Sequence, residues 1–264
     1  MRRCAPLALL LAVLVVVAFP FYWMLLSSFT PREVLFKPPY KLFRLDLSLA
    51  NYRELLFATE FLTYLRNSLI AAIGDFIDAG RVKVFCVGSN NHESFLNKQA
   101  HPFHRSWRQR MFDEYIRDEV IPYLHASCQT PGIPIATVGA SLGAYHAANT
   151  LFHYPHLVKR CYALSGVFDL RDFMDGMYDD NFYFQNPVDY MANLTDSWFL
   201  EQLSTCEIRL VTGTGPYEKS AYSYTMSGIL ARRGIRHSLD DWGPRGGHDW
   251  PFWKEQLREY ISRW

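Results

Sequence analysis

The feature that most constrains the fold is a serine enclosed by two glycines in "GASLG", residues 139–143. The apolar run "IPIATV" precedes it, and the helical pattern "LGAYHAANTLFHY" overlaps and follows it. A strand that turns abruptly into a helix places Ser141 on a bend where only small neighbours avoid a steric clash. An ordinary glycine-rich turn can carry the same five residues, but the flanking strand and helix favour an exposed nucleophile.

Short runs of β-branched and aromatic residues alternate with helical patterns from Asp75 onward. Such alternation predicts an α/β fold in which helices cover a mostly parallel sheet. One helical pattern ends at Gly234, a natural C-terminal cap. The predicted strands are "RVKVFCV" (81–87), "IPIATV" (133–138), "RCYALSG" (160–166), "IRLVTG" (208–213) and "RHSLDDW" (236–242).

A serine nucleophile needs a histidine to take its proton and a carboxylate to orient that histidine. His248 follows the last predicted strand and a glycine-rich loop, where a catalytic histidine is expected, although a surface histidine in a polar loop is the alternative. Glu218 is the first carboxylate after "IRLVTG". Asp169, after the preceding strand, is the second candidate, and Asp241 is the third. The backbone N–H of Leu142, directly after the serine, is a candidate oxyanion donor.

Composition argues against several other classes of function. The 27 basic and 26 acidic residues nearly cancel, so no overall charge favours nucleic acid as a partner. The five cysteines lack the paired spacing of a zinc site or a disulfide framework, and we interpret most of them as buried thiols. Prolines 102 and 155 interrupt any single helical face of a histidine-rich stretch, so we predict no metal site and no cofactor. The histidines concerned are His101, His104, His146, His153 and His156.

Residues 6–28 contain no charged side chain. At about 1.5 Å of rise per residue, a helix of this length crosses a bilayer core of roughly 30 Å. A cleaved signal peptide is the alternative, but no small-x-small cleavage site follows the run. With Arg2 and Arg3 on the cytoplasmic side, the sequence predicts a single-pass membrane protein whose later residues lie outside the cytoplasm. The later residues would be cytoplasmic only if the amino-terminal segment is an artefact.

Three stretches before residue 75 are "FPFYWMLLSSFTPREVLFKPP", "LSLANYRELL" and "FLTYLRNSLIAA". They resemble the first membrane helix, the external loop and the start of the second helix in the permease subunit of sugar ABC transporters. The family's later helices and its ATPase-docking loop are missing, so the resemblance implies ancestry and topology but not transport. The predicted domains are therefore a permease-like membrane segment, 1–74, and a second domain, 75–264.

Four motifs of the second domain are "GASLGAYHA", "ALSGVFDL", "YFQNPVDYMANL" and "GHDWPFWKEQL". They resemble a family of small esterases of the α/β-hydrolase superfamily. The resemblance implies a small-molecule acyl ester as substrate and a sheet in the order 1-2-4-3-5-6-7-8, with "RVKVFCV" as the fourth strand. The first three strands, including the loop that supplies a second oxyanion N–H, are expected before it and are not found.

The missing third strand predicts a gap at the centre of the sheet, between residues 81–87 and 133–138. Each buried backbone group left unpaired there costs about 1 to 3 kcal/mol. Two outcomes are open: the two strands pair directly, or the permease-like segment fills the gap. The sequence thus predicts a truncated α/β-hydrolase fold behind one membrane helix, with a serine esterase activity that the truncation weakens. The alternative is a permease fragment fused to a non-functional hydrolase remnant.

Overall fold

The computed structural model describes residues 72–130 and 132–264, together with Phe19, Tyr22 and Ser48. Contacts divide the chain into two compact units, Met1–Ala71 and Ala72–Trp264. All of the elements below belong to the second unit. The predicted division into 1–74 and 75–264 stays a prediction.

The second unit contains four strands and nine helices within its described residues. The strands are β1 (Ile135–Ala140), β2 (Val158–Leu164), β3 (Glu207–Thr212) and β4 (Ser238–Asp241). The helices are α1 (Gly74–Asp78), α2 (Pro102–Tyr115), α3 (Ile121–Cys128), α4 (Leu142–His153), α5 (Asp180–Gln185), α6 (Pro187–Tyr190), α7 (Ser197–Ser204), α8 (Ala221–Arg232) and α9 (Trp250–Ser262). A π-helical segment, Ile116–Val120, joins α2 to α3, and 3-10 turns lie at Arg171–Phe173 and Gly243–Arg245.

The strands form one parallel sheet in the order β1-β2-β3-β4. Helices connect successive strands, because parallel neighbours cannot be joined by a tight turn. This arrangement confirms the predicted α/β class with helices flanking a parallel sheet. It also aligns the carboxyl ends of all four strands along one edge, where ligand sites of such sheets form.

Helix α4 supplies much of the apolar packing behind this edge. Its small residues Ala144 and Ala148 and its Leu151 are fully buried, in one cluster with Leu210 of β3 and Leu230 of α8. Small side chains allow a helix to approach a sheet closely, so the start of α4 is held firmly against the end of β1. The core therefore fixes the turn that carries Ser141.

The predicted strand at 81–87 is wrong, since the structure has no strand in this segment. Val84 and Val87 are 39% and 42% exposed, and Cys86 is also exposed. The physical reason lies in the expected strand order, in which this segment pairs with the third strand and not with β1. The described residues contain no strand in that partner's place, so the backbone of this segment joins no ladder there, and direct pairing with β1 does not occur. The other open outcome, a gap filled by residues 1–74, lies outside the described residues.

Strand β1 consequently pairs with β2 alone in the part of the chain that the structure describes. Val138, in the middle of β1, is 38% exposed, whereas most of β2 is buried. An unpaired strand edge offers a row of N–H and C=O groups to another chain. We therefore predict that the outer edge of β1, which no described strand covers, favours self-association of the isolated unit.

We expect the isolated unit Ala72–Trp264 to self-associate as its concentration rises, and we expect Val138→Lys to reduce that association. A lysine on an edge strand disfavours pairing with a second edge. Phe184→Lys is the control, because Phe184 is also an exposed apolar residue, at 57%, but lies on α5 and not on a strand. Sedimentation of the three proteins measures the effect. Equal association of wild type and Val138→Lys would contradict an edge-driven contact.

Among the described residues, no helix has both the length and the apolar composition needed to cross a membrane. The predicted membrane span, 6–28, lies outside the described residues except for Phe19 and Tyr22. Anchoring through that segment stays a prediction.

Candidate active site

Ser141 occupies the sharp turn between β1 and α4. Its backbone has φ 57° and ψ −122°, a strained conformation for a residue with a side chain. A Cβ on Gly139 would lie 2.0 Å from the carbonyl oxygen of Gly143, so position 139 must be glycine. A Cβ on Gly143 would meet nothing within 4 Å. The turn thus has no room for a side chain at Gly139, whereas it has room for one at Gly143.

His248 lies beside this serine. Its Nε2 is 3.0 Å from the hydroxyl oxygen of Ser141, although 107 residues separate the two in the chain. The ring meets Trp253 edge to face, with centroids 5.0 Å apart. Trp253 is buried, so the imidazole is backed by a fixed apolar surface. The histidine is within reach to accept the serine proton.

Glu218 lies on the other side of the imidazole. Its Oε2 is 3.6 Å from Nδ1 of His248, slightly beyond hydrogen-bond distance, and its side chain is only 2% exposed. The Thr212 hydroxyl donates to Oε1 at 2.9 Å. Burial alone would raise the pKa of the carboxyl, but His248 and the hydroxyls of Ser165 and Thr212 outweigh it and hold the pKa below its ordinary value. Glu218 is therefore a carboxylate at neutral pH.

Backbone contacts fix the loop of Glu218 against the loop of His248. The N–H of Gly215 donates to the carbonyl of Gly246, and the N–H of His248 donates to the carbonyl of Pro216, both at 2.9 Å. A Cβ on Gly213 would lie 2.2 Å from the Gly246 oxygen, so the two chains touch directly. The separation of the acid and the histidine is thus set by main-chain atoms.

The other two candidate acids lie elsewhere. Asp169 accepts from the backbone N–H of Arg171 at 3.2 Å and has the Arg171 guanidinium 3.5 Å away. Asp241 accepts from the Tyr224 hydroxyl at 2.7 Å. Of the three carboxylates considered, the structure brings Glu218 to His248.

Leu142 is the first residue of α4. The first N–H groups of a helix have no acceptor within it, and the helix dipole favours negative charge at this end. The Leu142 N–H is therefore available beside Ser141. We assign no second donor among the described residues.

Sequence reasoning missed three side chains around the acid and the histidine: Ser165, Thr212 and Trp253. Thr212 ends β3, and Ser165 follows the last residue of β2. The indole N–H of Trp253 donates to the Ser165 hydroxyl oxygen at 3.0 Å. Position at the carboxyl end of a parallel strand was the available signal for Ser165 and Thr212. No sequence pattern pointed to Trp253 except that it follows His248 closely in the chain.

The histidines of the histidine-rich stretch do not converge on one point, as the separate polar contacts of His146 and His153 show. Nε2 of His146 lies 2.8 Å from the Asn91 side-chain oxygen, and burial lowers the His146 pKa to about 4, which keeps the ring neutral. Nδ1 of His153 lies 3.1 Å from the Asp113 carboxylate. Within the ranges that the structure describes, no group of three or more His, Cys, Asp or Glu residues could hold a metal ion.

A cavity of about 390 Å³ lies between α2, α4 and α5, and none of the predicted site residues lines it. Its buried carboxylate, Asp113, already accepts from the Asn149 amide at 2.8 Å and faces His153. The cavity is therefore separate from the site around Ser141, and its buried charge has partners within the protein.

Comparisons with known proteins agree with an esterase-like domain. The model of a family described as "Putative esterase" matches residues 47–263. The match begins inside the segment that resembles a permease, and no comparison supports that resemblance. A search of curated proteins finds no match.

Two solved structures are similar to the chain. A ferulic acid esterase is 18% identical, with 57% of this chain and 60% of that chain covered and a TM-score of 0.46. An S-formylglutathione hydrolase from Staphylococcus aureus is 17% identical, with 58% of this chain and 61% of that chain covered and a TM-score of 0.38. The chain thus spans about three fifths of the length of each.

Proposed function

The chain belongs to the family described as "Putative esterase", and from this membership we propose that it hydrolyses small carboxylic esters through a serine nucleophile. Ser141 is the nucleophile, His248 is the base and Glu218 orients the base. The observation that carries the proposal is the 3.0 Å contact between Nε2 of His248 and the hydroxyl oxygen of Ser141. Ser141 is itself held on a strained turn between β1 and α4.

In the proposed acylation step, the Ser141 oxygen forms a bond to the ester carbonyl carbon while its proton passes to Nε2 of His248. The carbonyl oxygen becomes an oxyanion that accepts from the Leu142 N–H. When the tetrahedral intermediate collapses, the bond to the leaving alkoxide breaks, and the alkoxide takes the proton from Nε2. Water then attacks the acyl-serine with the same groups in the same roles, which releases the acid and restores Ser141.

Glu218 contributes in two ways. As a carboxylate facing Nδ1, it favours the tautomer with a proton on Nδ1, which leaves the Nε2 lone pair free to accept the serine proton. Its negative charge then stabilises the imidazolium that forms. The present 3.6 Å separation needs to shorten only slightly in the transition state, as is common for catalytic contacts in unliganded enzymes.

A fluorophosphonate probe tests the nucleophile, because it forms a covalent bond only with an activated serine. We expect the probe to label the full-length protein and the adduct to map to the peptide that contains Ser141. Ser141→Ala should not be labelled, and heat-denatured wild type is the control for chemical reactivity alone. Equal labelling of Ser141→Ala, or an adduct on another serine, would refute the assignment.

A further inference from the structure

Tyr217 lies in a tight turn directly before Glu218. The N–H of Glu218 donates to the carbonyl of Gly215 at 3.3 Å, which closes a four-residue turn. Its central residues are Pro216, whose ring holds φ negative, and Tyr217, which has φ 61°. This combination defines a type II turn, in which the position of Tyr217 normally holds glycine or asparagine.

The ring of Tyr217 serves neither the core nor the turn. A bulky residue with positive φ is an outlier, because its Cβ crowds the backbone. Such a conformation persists only where the surrounding structure stabilises it. Tyr217 is 88% exposed, so packing of the ring against the protein does not supply this stabilisation. Glycine would form the same turn without the steric cost.

Backbone contacts place this turn at the rim of the candidate site. The Pro216 carbonyl accepts from the His248 N–H at 2.9 Å, so the backbone of Tyr217, the next residue, lies beside the histidine loop. Glu218 turns its side chain inward, where it is 2% exposed and faces Nδ1 of His248. The ring of Tyr217 is open to solvent instead, on the histidine side of the site.

The proposed chemistry indicates which part of an ester lies on this side. The leaving alkoxide takes its proton from Nε2 of His248, so the alcohol oxygen must come within hydrogen-bond distance of that atom. The histidine side chain is 27% exposed and therefore accessible to a substrate. The acyl group, in contrast, becomes bonded to Ser141. The alcohol part of the ester thus lies nearer to the histidine loop and to the turn that is bonded to it.

From these observations, we propose that Tyr217 is a specificity-determining residue whose ring packs against an aromatic group in the alcohol part of the ester. Contact between two aromatic rings stabilises a complex beyond the effect of the area that they bury. The substrate class is therefore an ester of an aryl or arylmethyl alcohol. The inference rests on the proposed function, since it names the substrate class of the same site.

Two isomeric esters test the inference on the full chain. Benzyl acetate carries its ring in the alcohol part, and methyl phenylacetate carries it in the acyl part. We expect Tyr217→Gly to lower the ratio of kcat/KM for benzyl acetate to kcat/KM for methyl phenylacetate by about 3- to 10-fold, the size of one aromatic contact. The change should lie mainly in KM, because the contact is present before and during the reaction. Tyr217→Phe should keep the wild-type ratio.

Glycine suits the turn, so the Tm of Tyr217→Gly should equal or exceed that of wild type. Tyr217→Asn, which also tolerates positive φ, repeats the measurement if the glycine variant does not fold. Gln129→Gly is the matched control. Gln129 is likewise exposed with a positive φ, 52°, but it follows α3 and precedes the amino end of β1. Its replacement should leave the ratio of the two esters unchanged.

The outcomes separate the two proposals. A wild type that neither turns over these esters nor reacts with the probe at Ser141 would overturn the proposed function together with this inference. A wild type that reacts with the probe but hydrolyses neither ester would overturn the inference alone, as would an unchanged ratio in Tyr217→Gly. Equal losses with both esters would show that residue 217 acts only through the turn before Glu218, and a larger loss with methyl phenylacetate would place the ring on the acyl side. Either result would overturn the inference.

Discussion

Replacing Glu218 with glutamine is expected to lower kcat for ester hydrolysis by about 10⁴-fold, as loss of the orienting carboxylate does in serine proteases with a Ser-His-Asp triad. Glutamine has nearly the same shape and can still bond to Thr212, which now reaches Oε1 at 2.9 Å. Its amide group, however, can donate to Nδ1 of His248. That contact favours the tautomer with a proton on Nε2, which cannot accept the proton of Ser141.

Steady-state turnover of p-nitrophenyl acetate near neutral pH measures this effect, with the melting temperature as the check on folding. Asp169→Asn and Asp241→Asn are the matched controls, because their carboxylates contact Arg171 and Tyr224 instead of His248. We expect both to keep activity within a few-fold of wild type. An inactive Asp169→Asn beside an active Glu218→Gln would move the orienting acid to the loop after β2.

The sequence was sufficient to predict the α/β class and four of the strands. β1 to β3 contain short apolar or β-branched stretches, β4 is the more polar SLDD, and each strand has a neighbouring strand to pair with. The order of the strands along the chain was also sufficient to predict that Ser141, Glu218 and His248 lie close together, because the carboxyl ends of parallel strands meet at one edge of the sheet. The 3.0 Å contact between His248 and Ser141 follows from that rule, while their catalytic roles stay proposals.

Other features depend on contacts that sequence patterns do not encode. Residues 81–87 have the composition of a strand, but a strand needs a partner, and the pattern of the segment itself does not reveal that no strand of the described residues pairs with it. The hydrogen bond from Trp253 to Ser165 joins residues 88 positions apart, and neither belongs to a motif that would pair them. The two glycines of "GASLG" also look alike in the sequence. In the structure only Gly139 has backbone atoms so close that no side chain fits, whereas Gly143 has open space.

That asymmetry gives a second large expected effect. We expect Gly139→Ala to destabilise the folded domain by about 3 kcal/mol or more, because the new methyl group would lie 2.0 Å from the Gly143 carbonyl oxygen and 2.7 Å from the Ala144 nitrogen. These are backbone atoms at the start of α4, so no side chain can rotate away to relieve the overlap. Either the helix withdraws from β1 or the turn opens, and both displace Ser141 from His248.

Gly143→Ala is the matched control, since it adds the same methyl group two residues beyond the nucleophile in a position with nothing within 4 Å. We expect its stability to stay within about 1 kcal/mol of wild type, because alanine suits a helix better than glycine. Thermal unfolding followed by circular dichroism compares the two variants, with a predicted fall in Tm of about 10 °C for Gly139→Ala alone. Equal losses in both variants would mean that the turn tolerates no side chain at either glycine, and that the close approach of Gly139 to α4 is not what fixes the serine.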